Sequence, residues 1–185
     1  MEDAIDKTYR GVRFFLDVII ANCAAFVLLA STILAIVEIL RRYALGVVFD
    51  WGQDAVTYYM VGAVFLFCAV TQARRSHLAM SAAMDVLRAK GFIKLTLTVR
   101  AIISAISLTL FTSFAWWGIP TVERMHLLHR KSQSMVLELW PFMLCLVIAF
   151  ALMALTTLFQ LYQDIQAIRG KEVFPWAPVE EGIEV

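Results

Sequence analysis

The acidic side chains within apolar sequence are the strongest candidates for chemistry in this chain, because a carboxylate inside a membrane can bind a proton or a cation. Asp17 and Glu38 both fall in the first long apolar run. Arg13 lies four positions before Asp17, and Arg41 and Arg42 lie three and four positions after Glu38. These spacings join side chains on one face of a helix and favour local ion pairs. The two acids also leave open an alternative function, in which the chain is a small proton- or drug-coupled transporter that uses Glu38 or Asp17.

The histidines and cysteines could in principle support nucleophilic catalysis, metal binding or haem ligation. They are His77, His126 and His129, and Cys23, Cys68 and Cys145. The cysteines fall inside apolar runs without metal-ligand spacing, whereas the histidines lie near the ends of such runs. His126 and His129 would share one helix face, so they could not ligate opposite faces of one haem. The chain also lacks an HExxH motif and a glycine-rich phosphate loop. The sequence therefore predicts no enzyme, cofactor or metal.

The elements that must position these residues are membrane-spanning helices. Apolar side chains make up 61% of the 185 residues, charged ones 17%, and the mean hydropathy is +0.76. A bilayer core of about 30 Å needs about 20 apolar residues per helix. We predict an all-α integral membrane protein with four transmembrane helices over 14–40, 55–73, 101–119 and 139–162. They form a single domain, 1–170, followed by a poorly ordered tail, 171–185.

The basic residues predict the orientation, because Lys and Arg concentrate in cytoplasmic segments. Eleven lie on the side shared by both termini and five on the other. The eleven are Lys7, Arg10, Arg13, Arg74, Arg75, Arg88, Lys90, Lys94, Arg100, Arg169 and Lys171, and the five are Arg41, Arg42, Arg124, Arg130 and Lys131. Both termini are therefore predicted in the cytoplasm.

The segment "ARRSHLAMSAAMDVLRAKG", residues 73–91, interrupts the apolar pattern between the second and third spans. His77, Ser81, Asp85 and Arg88 recur at helical spacing and form one polar stripe, with apolar residues elsewhere. This pattern predicts a short amphipathic helix in the cytoplasmic membrane interface. At the opposite side, Asp54 falls in the first turn of the second span, and Trp116 and Trp117 are expected as an interfacial anchor at the outer end of the third.

Three motifs carry a family resemblance. "RYALGVVFDWGQD", residues 42–54, resembles a segment of the small permease family of tripartite ATP-independent periplasmic (TRAP) transporters, the DctQ-like proteins. The matching positions are Arg42, Tyr43, Gly46, Trp51 and Asp54, the last of which is usually Glu in the family. "ARRSHLAMSAAMDVL" is similar to the family's basic pair and following helix through Arg74, Arg75 and His77. "KSQSMVLELWPF" matches the start of the fourth span through Ser134, Leu137 and Pro141, the proline being one position later than usual.

The resemblance implies a non-catalytic small membrane subunit in a bacterial or archaeal inner membrane. Its implied partners are a large elevator-type permease subunit, a periplasmic substrate-binding protein and membrane lipid, with no nucleic acid. The implied process is sodium-coupled uptake, by symport, of an organic acid, with this chain as scaffold. The residues expected in subunit contact or membrane anchoring are Arg42, Tyr43, Trp51, Asp54, Arg74, Arg75, His77, Trp116 and Trp117.

Overall fold

A computed structural model describes residues 2–47, 49–74, 93–134 and 136–169. The helices are α1 (Glu2–Phe14), α2 (Ala21–Leu40), α3 (Gly52–Ala73), α4 (Ile93–Leu127) and α5 (Trp140–Ile168). Two π-helical segments, Phe15–Ile20 and Arg41–Leu45, join and extend α1 and α2, so that Ile5–Leu45 forms one long helix. Within these described ranges, four helices are long and apolar enough to span a membrane, which confirms the predicted all-α membrane fold. The predicted interfacial helix, with Arg75 and His77, and the tail lie outside the described residues.

Turns and helix starts follow from local sequence. The long first helix ends at Gly46, whose φ of 66° is left-handed and favours glycine over residues with a Cβ atom. Pro141 stands in the first turn of α5, where its missing N–H would have had no helical partner anyway. Between α4 and α5, the described part of the loop contains an isolated antiparallel bridge between Lys131 and Glu138.

Helix lengths differ, and α3 is the one that matches a bilayer. Its 22 residues extend about 33 Å at 1.5 Å per residue, close to the hydrocarbon thickness. Its apolar stretch is bounded by Asp54 and Arg74, which places its midpoint at Val64. The first helix, α4 and α5 have 41, 35 and 29 residues, so they extend beyond the length of α3. We call the two ends of the bundle the Asp54 end and the Asp164 end.

The helices pack as two antiparallel pairs. The first helix pairs with α3, α4 pairs with α5, and α3 packs against α5 to join the pairs. Near the midpoint of α3, Phe65 lies 5.4 Å from Phe150 of α5, whose ring lies 5.1 Å from that of Phe114 on α4. We call these three rings, with Phe111 beside them, the aromatic layer. It marks the middle of the membrane-spanning part. The rings of Phe65, Phe111 and Phe150 also pack against a buried core towards the Asp164 end, which consists of Leu16, Ala69, Ala73 and Met153.

Candidate functional site

Asp54 ties the start of α3 to the loop between α4 and α5. Its Oδ2 accepts a hydrogen bond of 2.9 Å from the backbone N–H of Ser134. The hydroxyl of Ser134 lies 2.8 Å from that of Ser132, which is buried. A carboxylate that accepts a backbone N–H forms a charge-assisted hydrogen bond, which is stronger than a neutral one. The predicted site residue Asp54 therefore connects two sequence-distant segments of the chain.

Glu138 organises the same loop. Its Oε2 accepts a 2.7 Å hydrogen bond from the indole N–H of Trp140, and its Oε1 lies 3.5 Å from Nδ1 of His129. The Trp140 hydrogen bond, followed by the hydrogen bond and positive charge of His129, holds the pKa of Glu138 below its usual value. The ring of His126 meets Trp140 edge to face at 5.1 Å. These contacts fix the loop against the start of α5.

Glu38 does not form the predicted pair with Arg41 or Arg42, so that expectation is wrong. Both its carboxylate oxygens are buried and have no hydrogen-bond partner in the described part of the chain. Arg41 instead lies over the ring of Phe49, 3.7 Å from its centre. Glu38 packs against Gly52, the first residue of α3, where an added Cβ would come within 2.8 Å of Oε2. The partial positive charge at the start of α3 favours a carboxylate there.

Asp17 has the predicted local partner and a second one from another helix. Arg13 Nε lies 3.5 Å from its Oδ2, and Arg74 Nε lies 2.9 Å from its Oδ1. Arg74 therefore links the end of α3 to the first helix. Asp17 stands in a π-helical segment, a geometry that is frequent at functional sites.

The Asp164 end contains a buried ion pair that the sequence reasoning missed. Arg100 Nε of α4 lies 2.9 Å from Asp164 Oδ1 of α5, and Ser104 Oγ donates to Oδ2 at 2.7 Å. All three residues are buried. Tyr9 of α1 is buried nearby and stacks on Phe159 of α5, with ring centres 4.8 Å apart. The only sequence signal for this pair was the position of two opposite charges. Arg100 lies just before the predicted third span, and Asp164 lies just after the predicted fourth span.

Next to this ion pair, an amide network joins α3 to α5. Gln72 Nε2 lies 3.1 Å from both Thr157 Oγ1 and Gln160 Oε1, and Gln160 Nε2 donates to the backbone carbonyl of Gln72 at 2.6 Å. Buried amides are tolerated in a membrane when such partners are present. The network sits at the Asp164 end, away from the aromatic layer.

The other predicted site residues are not brought together. Arg42 and Tyr43 are exposed at the Asp54 end of the first helix, and Trp51 packs beside Phe49 with ring centres 5.3 Å apart. Trp116 and Trp117 are exposed and lie near the aromatic layer. They do not mark the end of the helix, since α4 continues to Leu127 rather than ending near residue 119. Within the described ranges, no three His, Cys, Asp or Glu side chains are placed to hold a metal ion.

Comparison with known families decides the identity. A family model described as "Tripartite ATP-independent periplasmic transporters, DctQ component" matches residues 31–167, from within α2 through most of α5. The chain belongs to this DctQ family. It is therefore the small permease subunit of a TRAP transporter and a multi-pass inner-membrane protein. For a DctQ chain, a tripartite system implies a large permease and a binding protein as partners. The searches of curated proteins and of solved structures gave no match.

Proposed function

We propose that this DctQ-family chain is a scaffold that carries no substrate itself. The supporting observation is the distribution of polar side chains in the described bundle. The Arg74–Asp17 and Arg100–Asp164 ion pairs and the amide network lie towards the Asp164 end, and the Asp54–Ser134 hydrogen bond lies at the Asp54 end. Between the two ends, Phe65, Phe114 and Phe150 fill the interior at mid-depth. An ionic substrate or a sodium ion would need polar groups or broken helices near that depth.

The cross-helix contacts support the same role. Three contacts tie the bundle together at its two ends: Asp54 with Ser134, Arg74 with Asp17, and Arg100 with Asp164. An elevator-type carrier needs a stationary part against which its mobile domain moves. A bundle held at both ends is suited to enlarge that stationary part in the large permease subunit.

The proposal extends to the wider system, with the family and the charge distribution as its support. We place both termini in the cytoplasm, so that the Asp164 end faces inwards and the Asp54 end faces the periplasm. A periplasmic binding protein delivers an organic acid, and the large subunit couples its uptake to sodium. Exposed Arg42 and Tyr43 and half-exposed Trp51 anchor the periplasmic end or contact a subunit. Arg74, Arg75 and His77 do so at the cytoplasmic end, and Trp116 and Trp117 act within the membrane.

One observation favours a second candidate, a self-contained proton-coupled transporter. Glu38 is a buried carboxylate whose oxygens have no hydrogen-bond partner among the described residues, and such acids often take part in transport. However, it lies beside Gly52 at the Asp54 end rather than at mid-depth. Asp17, the other candidate acid, is held by two arginines. We therefore prefer the scaffold.

Co-expression tests the proposal. We expect an affinity-tagged chain to retain the large permease subunit through purification in mild detergent. We also expect an adjacent reading frame to encode that twelve-span subunit, with a secreted binding protein nearby. In cells, uptake of labelled dicarboxylates or sugar acids should require both membrane subunits. Full uptake after deletion of this chain would contradict the scaffold role.

A further inference from the structure

We propose that one face of α4 is the surface that contacts a transmembrane helix of the large permease subunit. The face, here called the α4 polar face, consists of Thr109, Thr112, Ser113, Trp116 and Trp117, which recur at helical spacing. With Leu108, these residues line a shallow groove of about 430 Å³ on the surface of α4. The inference deepens the proposed function and rests on it.

The depth of this face in the membrane is the first argument. Trp116 and Trp117 follow Phe114 of the aromatic layer by two and three residues, which is roughly 3 to 5 Å along the helix axis. Glu123, the first charged residue beyond them on α4, lies six residues past Trp117, about 9 Å further along. The two tryptophans therefore lie within the hydrocarbon region and not at headgroup level.

The chemistry of the indoles is the second argument. Trp116 and Trp117 are 72% and 69% exposed. In the part of the chain that the structure describes, neither indole N–H has an acceptor. Tryptophan is enriched at the membrane interfaces, where its N–H finds water or headgroups. Acyl chains offer no acceptor, and an unpaired donor in hydrocarbon is unfavourable. A protein surface with carbonyl or hydroxyl oxygens can satisfy these donors, whereas lipid cannot.

The hydroxyl groups on this face complete the pattern. Thr109 Oγ1 donates to the carbonyl of Ala105 at 2.9 Å, and Ser113 Oγ donates to the carbonyl of Thr109 at 2.7 Å. Their own protons are thus satisfied within α4, while the oxygen lone pairs remain available as acceptors. Small and hydroxylated residues allow a close approach, and the two tryptophans provide bulky anchors together at one end of the face, which suits a second helix.

The partner that fits is the large subunit. The most apolar window of α4 is 11% buried within the chain, less than that of any other span among the described helices. A second copy of this chain would set two tryptophans against two tryptophans, and their bulk would hold the helix backbones apart. A helix with small residues and free oxygens complements the face better, and the tripartite family supplies another membrane subunit.

A double variant tests the face. Trp116→Leu with Trp117→Leu, co-expressed with the large subunit, should lower the amount of large subunit recovered on the tagged chain by about tenfold or more. Phe26→Leu is the matched control, because Phe26 is 71% exposed on α2. It should leave recovery unchanged. Full recovery with the double variant, or equal loss with Phe26→Leu, would overturn the inference.

Photo-crosslinking gives an independent measurement in the otherwise unaltered chain. A photoreactive amino acid at Thr112 should cross-link to the large subunit, and one at Phe26 should not. A product at twice the 20.9 kDa mass of this chain would indicate self-contact and reject the inference. Failure of the wild-type chain to retain the large subunit would reject the proposed function as well. A stable wild-type complex with no cross-link from Thr112 would reject only the α4 polar face.

Discussion

Arg100 of α4 and Asp164 of α5 form a buried ion pair, with 2.9 Å between Nε and Oδ1. Ser104 supplies a hydrogen bond to the second carboxylate oxygen, so both oxygens of Asp164 are engaged. The pair lies where α4 and α5 extend beyond the length of α3. It closes the Asp164 end of the bundle and holds the α4–α5 pair together.

Asp164→Ala should destabilise the chain by about 3 kcal/mol, because removing one partner leaves the Arg100 guanidinium buried without its counter-charge. Denaturant unfolding in detergent, followed by circular dichroism, measures the change. Arg10→Ala is the control, since the Arg10–Asp6 pair is on the surface, and its effect should stay below about 1 kcal/mol. Equal effects from the two variants would show that the buried pair contributes no more stability than a surface pair.

Asp54→Ala should loosen the loop between α4 and α5, because the backbone N–H of Ser134 loses its acceptor. Trypsin cleavage after Arg130 or Lys131, both exposed, reports the loosening. We expect several-fold faster cleavage than in the wild-type chain, with Asp54→Asn intermediate because its amide oxygen can still accept. Asp50→Ala, in the exposed turn before α3, should leave the rate unchanged. An unaltered cleavage rate in Asp54→Ala would show that the hydrogen bond between Asp54 and Ser134 does not hold the loop in place.

Gly52→Ala should destabilise the chain by about 1 to 3 kcal/mol through overpacking. The added Cβ would come within 2.8 Å of Glu38 Oε2 and 3.1 Å of Phe49 Cβ. Glu38→Ala should recover part of this loss, so the two changes should be non-additive in a double-mutant cycle. Gly11→Ala is the matched control, because a Cβ there meets open space in the interior of α1. It should be neutral or stabilising.

Acid should weaken the α4–α5 loop through Glu138. Its pKa in the folded chain lies below the ordinary value of 4.5, so its contribution to stability is present above pH 4.5 and is lost as the pH falls through the folded pKa. Trp140→Phe removes the main hydrogen bond that lowers this pKa. The thermal midpoint of the variant should therefore fall less steeply with acid than that of the wild-type chain. Parallel pH profiles would contradict the assignment.

The sequence predicted four spans because uncharged apolar runs are a strong local signal. It missed where the helices end, because hydropathy identifies the stretch suited to the hydrocarbon core and not the full length of the helix. Arg100 stood just before the predicted third span and Asp164 just after the fourth, yet both lie within continuous helices that pair them.

The same limit applies to single site residues. The third span was drawn to end at residue 119, shortly after Trp116 and Trp117, whereas α4 continues to Leu127. The predicted partner of Asp17 was correct, since the i, i+4 spacing is local. The predicted partner of Glu38 was wrong, because Arg41 contacts the ring of Phe49 instead. Phe49 lies in a turn whose conformation no spacing rule predicts. Long-range contacts such as Asp54 with Ser134 needed the tertiary structure.

Flux through the isolated chain tests the central claim most directly. The chain alone and its complex with the large subunit would be reconstituted in proteoliposomes, with the binding protein outside and imposed sodium or proton gradients. We predict no flux of labelled organic acid or of protons above empty vesicles for the chain alone, and sodium-dependent uptake for the complex. Gradient-driven flux through the chain alone that Glu38→Gln abolishes would contradict the scaffold and establish a self-contained transporter.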